Sequence, residues 1–231
     1  MAPNWRHALR LSSDTWDPSH RFQTSWLLTP WVLFAVRAVF ALYAFATLFF
    51  IIGWQASGHD GHDIHDVHKS FSYFTVLCYW AQAIYFLLAS VNTFTYAHPS
   101  TPTLLPRFPP LFRALYALLY TTVTTFPFLV SLAFWSVLYP SIPSPTFNTP
   151  FSLYTNTSQH ALNALFALFE TLATRSAPAP WIHLLWSLML LAMYCGLAYV
   201  TYAVKGYYVY VFLDPRPRLD VEGVNVGGVG K

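Results

Sequence analysis

The sequence predicts an all-α integral membrane protein, folded as a helical bundle of about five transmembrane helices. Hydrophobic residues make up 55% of the 231 residues and charged residues only 9%, so the chain is more apolar than a water-soluble domain of this size. Five apolar stretches are each broad enough to cross a bilayer. The connections between them are polar or rich in proline. We expect a multi-pass protein of the endoplasmic reticulum or the plasma membrane.

The first apolar stretch, residues 31–53, contains a single charged residue, Arg37. A hydrocarbon core is roughly 30 Å thick and needs about 20 helical residues, so this stretch crosses it with some tilt. The other predicted spans are residues 71–94, 111–139, 158–174 and 181–213. The fourth span is the most polar of the five, which makes it the first place to look for a functional site.

Three regions follow from these spans: a polar N-terminal segment at 1–30, the transmembrane bundle at 31–213 and a flexible tail at 214–231. The connections at 98–110 and 140–150 each hold several prolines, which break a helix and so must lie outside the hydrocarbon or under other protein. The tail ends in the glycine-rich VEGVNVGGVGK, which has no amphipathic period.

Polar side chains follow one face of the fourth span. A helical period of 3.6 residues places Asn156, His160 and Asn163 on this face, with Glu170 near it. Because an uncompensated ionisable group at bilayer depth costs roughly 2.5–3.5 kcal/mol, the face must meet protein or water. Two interpretations stay open: these side chains hold helices together by hydrogen bonds, or they form a functional site.

Two opposite charges, Arg37 and Glu170, lie well inside predicted spans. Pairing them is the least costly way to keep both in the bundle, so we predict a structural charge pair that fixes the packing of the first and fourth spans. A water-lined cavity around Arg37 is the alternative.

In the second span, Thr75 and Gln82 lie on the same face, two turns apart. A threonine in a membrane helix commonly donates to the carbonyl four residues earlier, which is the structural interpretation of Thr75. The functional interpretation needs a base, and His160 lies deep enough in a helical segment to serve as one. Thr75 and His160 would together supply the hydroxyl and the base that acyl-transfer chemistry requires.

The polar segment HDGHDIHDVH contains His59, His62, His65 and His68. Histidines three residues apart can bind zinc from one face of a helix, but two glycines disfavour a stable helix there, so we expect a solvated loop and no metal or cofactor. The net charge of +3 is spread along the connections, which predicts no nucleic-acid partner. The expected partners are the lipid bilayer and a membrane lipid, and the oligomeric state stays open.

Four segments stand out in order along the chain: FSYFTVLCYWAQAIYFLL at 71–88, TTFPFLVSLAFWSVLYP at 124–140, NTSQHALNALFALFE at 156–170 and GYYVYVFL at 206–213. They resemble successive signature segments of the androgen-induced gene family, to which the rolling stone proteins are similar. The resemblance covers residues 20–213. The opening SHRFQTSW at 19–26 is more similar to the rolling stone branch.

The androgen-induced branch consists of multi-pass membrane hydrolases that cleave fatty acid esters of hydroxy fatty acids with a threonine nucleophile and a histidine. The family threonine stands seven residues before a glutamine, as Thr75 stands before Gln82. The family histidine stands four residues after an asparagine and ten before a glutamate, as His160 does here. The resemblance therefore implies an intramembrane lipid ester hydrolase with Thr75 as nucleophile and His160 as base. The supporting residues would be Asn156, Gln82, Asn163 and Glu170, of which Asn156 would orient His160 or donate to the oxyanion.

Two departures from the family pattern bear on this expectation. The androgen-induced branch has a further helix after the segment that residues 206–213 match; here that helix is truncated, absent in this branch or donated by a partner. The rolling stone branch has no settled hydrolase activity. The alternative function is a non-enzymatic membrane scaffold or lipid-binding protein, and more remotely a transporter, whose repeated halves and discontinuous helices are not visible in the sequence.

Overall fold

The computed structural model describes residues 17, 19–141, 149–175 and 178–215. The helices in this part of the chain are α1 (Pro30–Ala56), α2 (Ile64–Ser70), α3 (Phe74–Ala97), α4 (Pro110–Ala133), α5 (Pro150–Asn156), α6 (Asn163–Ala173) and α7 (Trp181–Lys205). The π-helical segment Phe134–Leu138 extends α4. A second π-helical segment, Thr157–Leu162, joins α5 to α6. The extended pairing among the described residues is a single isolated bridge between Ser25 and Thr174.

Four helices, α1, α3, α4 with its extension, and α7, are long and apolar enough to cross a membrane. The predicted fold class, an all-α membrane helical bundle, is confirmed, but the predicted number of about five spans is not: the predicted fourth span, 158–174, is not among these four helices of the described residues. Prolines occupy the first turns of α1, α4 and α5, where a residue needs no amide donor. The prolines of the connections therefore also set where the helices begin.

The predicted fourth span, 158–174, is part of a longer helical stretch that begins at Pro150. Near its start, the hydroxyls of Tyr154 and Thr47 lie 2.8 Å apart, beside the end of α1. Near its end, Glu170 meets Arg37, which lies in the first half of α1. The stretch thus runs antiparallel to α1 along the bundle, and the polar residues before 158 had hidden its beginning.

Aromatic rings fill the core where α1, α3 and α6 meet. Phe40 of α1 stacks on Phe166 of α6 with ring centroids 4.1 Å apart, and it meets Phe86 of α3 edge-on. Such ring pairs contribute about 0.5–1.5 kcal/mol beyond the area that they bury. Ala41 and Ala89 are also buried in this cluster, and small residues let membrane helices approach closely.

The segment before α1 belongs to the bundle. Phe22 and Gln23 are 4% and 1% exposed, and the Phe22 carbonyl accepts a hydrogen bond from Arg37 Nη1 at 2.8 Å. The bundle therefore includes residues ahead of the boundary predicted at residue 30. Residues 1–16, most of the loop predicted at 140–150, and the tail from residue 216 lie outside the described residues.

The predicted fifth span continues to residue 213, but α7 ends at Lys205. Gly206 follows with a φ of 75°, the left-handed conformation that commonly ends a helix. Residues 207–213, named here the return segment, then turn back toward the start of α3. The Lys69 ammonium lies 5.0 Å from the ring centroid of Tyr207, and Tyr73 meets Tyr210 edge-on, so the return segment lies against the start of α3.

Replacing Gly206 with alanine is expected to destabilise the protein by about 1–2 kcal/mol, the cost of the left-handed conformation for an L-residue. Apart from its two chain neighbours, none of the described residues has an atom within 4 Å of the position that a Cβ would take, so the expected effect comes from the backbone conformation. Gly196→Ala in α7 is the matched control, because it also meets open space but should stabilise the helix by roughly 0.5–1 kcal/mol. Thermal unfolding in detergent measures both, and shifts of the same sign would contradict this account.

Candidate functional site

Thr75 lies in the first turn of α3, at the wall of a cavity. Its side chain is buried, with 8% exposed. Thr93, Thr121 and Thr201 each donate to the carbonyl four residues earlier, which is the structural role common for a membrane threonine. The hydroxyl of Thr75 makes no such bond in the described part of the chain, because the residue four before it, Phe71, precedes the helix.

Two tyrosine hydroxyls lie beside Thr75. Tyr194 of α7 and Tyr210 of the return segment each accept a hydrogen bond from the Phe74 amide, at 3.1 Å. Tyr194 in turn donates to the Ser72 carbonyl at 2.9 Å. The hydroxyl and the amide of Thr75 face the Tyr210 oxygen. The first amide groups of α3, which have no partner within the helix, are thus met by polar groups from two other parts of the chain.

Two neighbouring cavities lie between α3, α4 and α7. The smaller, about 260 Å³, is lined by apolar side chains together with Thr75, Tyr194 and Tyr210. The larger, about 530 Å³, shares Phe74 and Tyr194 with the smaller one. Met193 lines the larger cavity and is 69% exposed on the outer face of α7. Cys195 of α7, which is also exposed, lines the smaller cavity with Thr75, so both cavities reach the surface of α7.

His160 is buried in the π-helical segment Thr157–Leu162, with 6% of its surface exposed. Its ring stacks on Phe134 with centroids 3.6 Å apart and planes 6° from parallel. Its Nδ1 atom has no hydrogen-bond partner among the described residues. An unpartnered ring nitrogen at this depth is a potential proton acceptor, and single π-helical turns occur frequently at functional sites.

Thr75 and His160 lie on neighbouring helices that run in the same direction. Gln82 Nε2 donates to the Asn163 carbonyl at 2.9 Å, and the Tyr85 hydroxyl donates to Glu170, so residue numbers rise together along the two helices. Counting back from the first contact places the Thr75 backbone about 6 Å beyond that of His160 along the bundle axis. No hydrogen bond joins Thr75 to His160 in the described part of the chain.

His160 also lies outside the two cavity walls. The residue on which it stacks, Phe134, directly follows Ala133, which lines the smaller cavity. The imidazole therefore lies behind the cavity wall, with the Phe134 ring beside it.

The polar residues predicted to support the site have different partners. Asn156 donates to the Ser152 carbonyl at 2.8 Å, within its own helix, so the structure does not bring it to His160. Asn163 likewise donates to the Gln159 carbonyl at 3.1 Å. Gln82, through its contact with Asn163, joins α3 to α6. The Gln82 side chain thus makes an interhelical hydrogen bond to the Asn163 main chain, whereas the Asn163 side chain bonds within its own helix.

The structure joins the two charges that the sequence paired. Arg37 Nη2 contacts Glu170 Oε1, and Arg37 Nε donates to Glu170 Oε2 at 3.1 Å. Arg37 Nη1 also donates to the Thr93 hydroxyl at 2.6 Å, and the Tyr85 hydroxyl donates to Glu170 Oε1 at 2.7 Å. Arg37 and Glu170 have no exposed surface. This network joins α1, α3, α6 and, through the Phe22 carbonyl, the N-terminal segment.

The histidine-rich segment is partly helical, which corrects the expected loop. Asp63 accepts hydrogen bonds from the amides of His65 and Asp66 and so caps α2, while the glycines that disfavour a helix precede it. His62 Nδ1 lies 2.9 Å from the Asp66 carboxylate, and this hydrogen bond holds the pKa of Asp66 below its ordinary value. No group of three or more His, Cys, Asp or Glu side chains that could hold a metal ion occurs within the described ranges.

The fold and the site together define a membrane helical bundle with a buried hydroxyl at the wall of an apolar cavity. No protein-family model, curated protein or solved structure matches the chain.

Proposed function

We propose that this protein is an intramembrane hydrolase of lipid esters, with Thr75 as the nucleophile and His160 as the general base. The observation that carries the proposal is the Thr75 hydroxyl, which lies at the wall of an apolar cavity that the exposed residue Cys195 also lines, and which is not bonded to its own helix. The resemblance to the androgen-induced gene family, whose threonine and histidine match these two positions, adds to it. Fatty acid esters of hydroxy fatty acids are the substrate class that this resemblance suggests.

The proposed reaction has two steps. Thr75 Oγ attacks the ester carbonyl carbon while His160 takes its proton, directly or through one water molecule. The alcohol then leaves with that proton, and the acyl group stays on Thr75. A water molecule, deprotonated by His160, attacks the acyl-threonine and releases the fatty acid. The net reaction consumes one ester and one water and yields one acid and one alcohol.

The shape of the cavities supports a lipid substrate. The larger cavity is lined by Leu77, Val123 and Phe126 among other apolar side chains, so an acyl chain would bury its surface there. The ester would then lie near Phe74 and Tyr194, which the two cavities share, within reach of Thr75.

A second candidate function is lipid binding without chemistry. The observation that favours it is the separation of Thr75 from His160, which share no hydrogen bond in the described part of the chain. Catalytic hydrogen bonds are often long in proteins without substrate and tighten when substrate binds, so we place hydrolysis first. A scaffold or lipid carrier would bind an acyl ester and release it intact.

Hydrolysis of a fluorogenic long-chain acyl ester by the purified protein tests the proposal. Thr75→Ala is expected to lower kcat by at least about 10³-fold, as loss of a nucleophile does in other acyl-transfer enzymes. Thr122→Ala is the matched control, because Thr122 lines the larger cavity but its hydroxyl is bonded to the Leu119 carbonyl at 2.8 Å. Wild-type activity in Thr75→Ala would contradict the proposal, and so would a wild-type protein that binds the ester without cleaving it.

A further inference from the structure

We propose that Tyr210 is the oxyanion donor of this reaction: its hydroxyl donates a hydrogen bond to the substrate carbonyl oxygen as Thr75 attacks. This inference rests on the proposed function and extends it to a residue of the return segment. It assigns a catalytic role to a part of the chain that follows α7.

The placement of Tyr210 is the first observation. Its side chain lines the smaller cavity together with Thr75, and its oxygen is held at 3.1 Å from the Phe74 amide, one residue before the nucleophile. The Thr75 hydroxyl faces the same oxygen. A carbonyl carbon in contact with Thr75 Oγ would therefore have its oxygen near the Tyr210 hydroxyl.

The availability of the Tyr210 proton is the second observation. The two tyrosines beside Thr75 differ: Tyr194 donates its proton to the Ser72 carbonyl, whereas Tyr210 accepts from Phe74 and donates to no backbone carbonyl among the described residues. Burial also raises the pKa of the Tyr210 phenol, so the hydroxyl stays protonated at neutral pH. The side chains beside the Tyr210 hydroxyl are those of Tyr194 and Thr75, so a substrate carbonyl oxygen would compete with hydroxyl groups, and not with a backbone carbonyl, for the Tyr210 proton.

The proposed reaction needs a hydrogen-bond donor for the oxyanion. A tetrahedral intermediate carries negative charge on the former carbonyl oxygen, and in an apolar cavity this charge is costly unless a preorganised donor meets it. The other polar side chains in the smaller cavity are Thr75, Tyr194 and Cys195. Thr75 is the nucleophile, the Tyr194 proton is engaged, and a thiol is a weak donor.

Steady-state hydrolysis of the fluorogenic acyl ester by Tyr210→Phe tests this inference. Removal of one oxyanion donor is expected to lower kcat by about 10²–10³-fold and to leave KM near that of the wild type. Tyr208→Phe is the matched control, because it removes a hydroxyl from the same segment at a residue that stacks on Tyr202 and lines neither cavity. Full kcat in Tyr210→Phe, or a change in KM alone, would overturn the inference.

Inhibitor binding gives a second readout that a structural role of Tyr210 would not change. A trifluoromethyl ketone with the same acyl chain forms a tetrahedral adduct with the nucleophile, so Tyr210→Phe should weaken its binding by about the factor lost from kcat. An ether analogue has no carbonyl oxygen, and it should bind the two proteins equally. Equal loss of both ligands would show a distorted cavity and overturn the inference.

Incorporation of 3,5-difluorotyrosine at position 210 covers the case in which Tyr210→Phe does not fold. The fluorinated phenol keeps the ring and its contacts but loses its proton at lower pH, so the alkaline limb of the kcat profile should move to lower pH. An unmoved limb would contradict the inference. Activity in Thr75→Ala would overturn the proposed function itself, whereas an inactive Thr75→Ala with a fully active Tyr210→Phe would overturn the role of Tyr210 alone.

Discussion

Arg37→Ala is expected to prevent stable folding of the bundle. The substitution leaves the Glu170 carboxylate, which has no exposed surface, without its cation, and breaking a buried charge pair by removing one partner costs about 3–5 kcal/mol. It also removes the donor to the Phe22 carbonyl and to Thr93. Because whole domains are stable by only about 5–15 kcal/mol, we expect a large fall in the yield of folded protein and in the temperature of unfolding in detergent.

The double variant Arg37→Met with Glu170→Met tests the cause of this loss. Replacement of both charges with apolar side chains of similar size is often neutral or stabilising in other proteins, so the double variant should recover much of the stability lost in Arg37→Ala. Arg21→Ala is the control, because Arg21 is partly exposed and lies 3.8 Å from Asp17; such a pair contributes about 0–1 kcal/mol. A double variant no more stable than Arg37→Ala would show that the pair does more than neutralise charge.

His160→Ala is expected to lower kcat for ester hydrolysis by at least about 10³-fold, because loss of the general base costs about as much as loss of the nucleophile when the two act as a unit. The same substitution combined with Thr75→Ala should cost little more than either alone. This lack of additivity is the signature of a shared step, and steady-state kinetics of the three variants measures it.

His183→Ala is the control for this prediction. His183 is a second buried histidine, but its Nδ1 atom lies 2.7 Å from the Thr121 hydroxyl and it lines neither cavity beside Thr75. If His183→Ala lost activity while His160→Ala kept it, the assignment of His160 as the general base would be wrong. Additive effects of His160→Ala and Thr75→Ala would indicate that the two residues act in separate steps.

The sequence was sufficient to predict the class of fold and the buried charge pair. Both predictions rest on a strong physical constraint, since neither an unpaired charge nor an unpaired backbone amide is tolerated in hydrocarbon. Arg37 and Glu170 are opposite charges deep in spans, so their pairing needed no knowledge of packing angles. Arg37 also contacts Thr93 and the Phe22 carbonyl. These contacts depend on the rotation of the helices and on the path of the N-terminal segment, and a hydropathy pattern predicts neither.

The immediate surroundings of Thr75 could not be predicted in the same way. Tyr194 and Tyr210 are two of fifteen tyrosines, and tyrosine is common at membrane interfaces, so composition does not single them out. They meet at Phe74 because α7 ends at Lys205 and the chain turns back at Gly206. The glycine is the sequence signal that could have suggested this turn, since it follows a long apolar run and precedes four aromatic residues.

The orientation of the His160 ring could not be predicted from the sequence either. The period of a regular helix predicts that His160 shares one face with Asn156 and Glu170. The structure instead widens the helix at Thr157–Leu162, which turns the ring toward Phe134. A local π-helical turn depends on packing against neighbouring helices, and no residue pattern in this segment predicts it.

Mass spectrometry of the protein quenched in acid during ester turnover tests the central claim most directly, because the proposed reaction passes through an ester on one identified side chain. The predicted result is an added acyl mass on the peptide that contains Thr75, mapped to Thr75 itself, absent from Thr75→Ala and increased when deacylation is slowed. An acyl group on another residue, or turnover without any acylated peptide under conditions in which deacylation limits the rate, would contradict the assignment of Thr75 as the nucleophile.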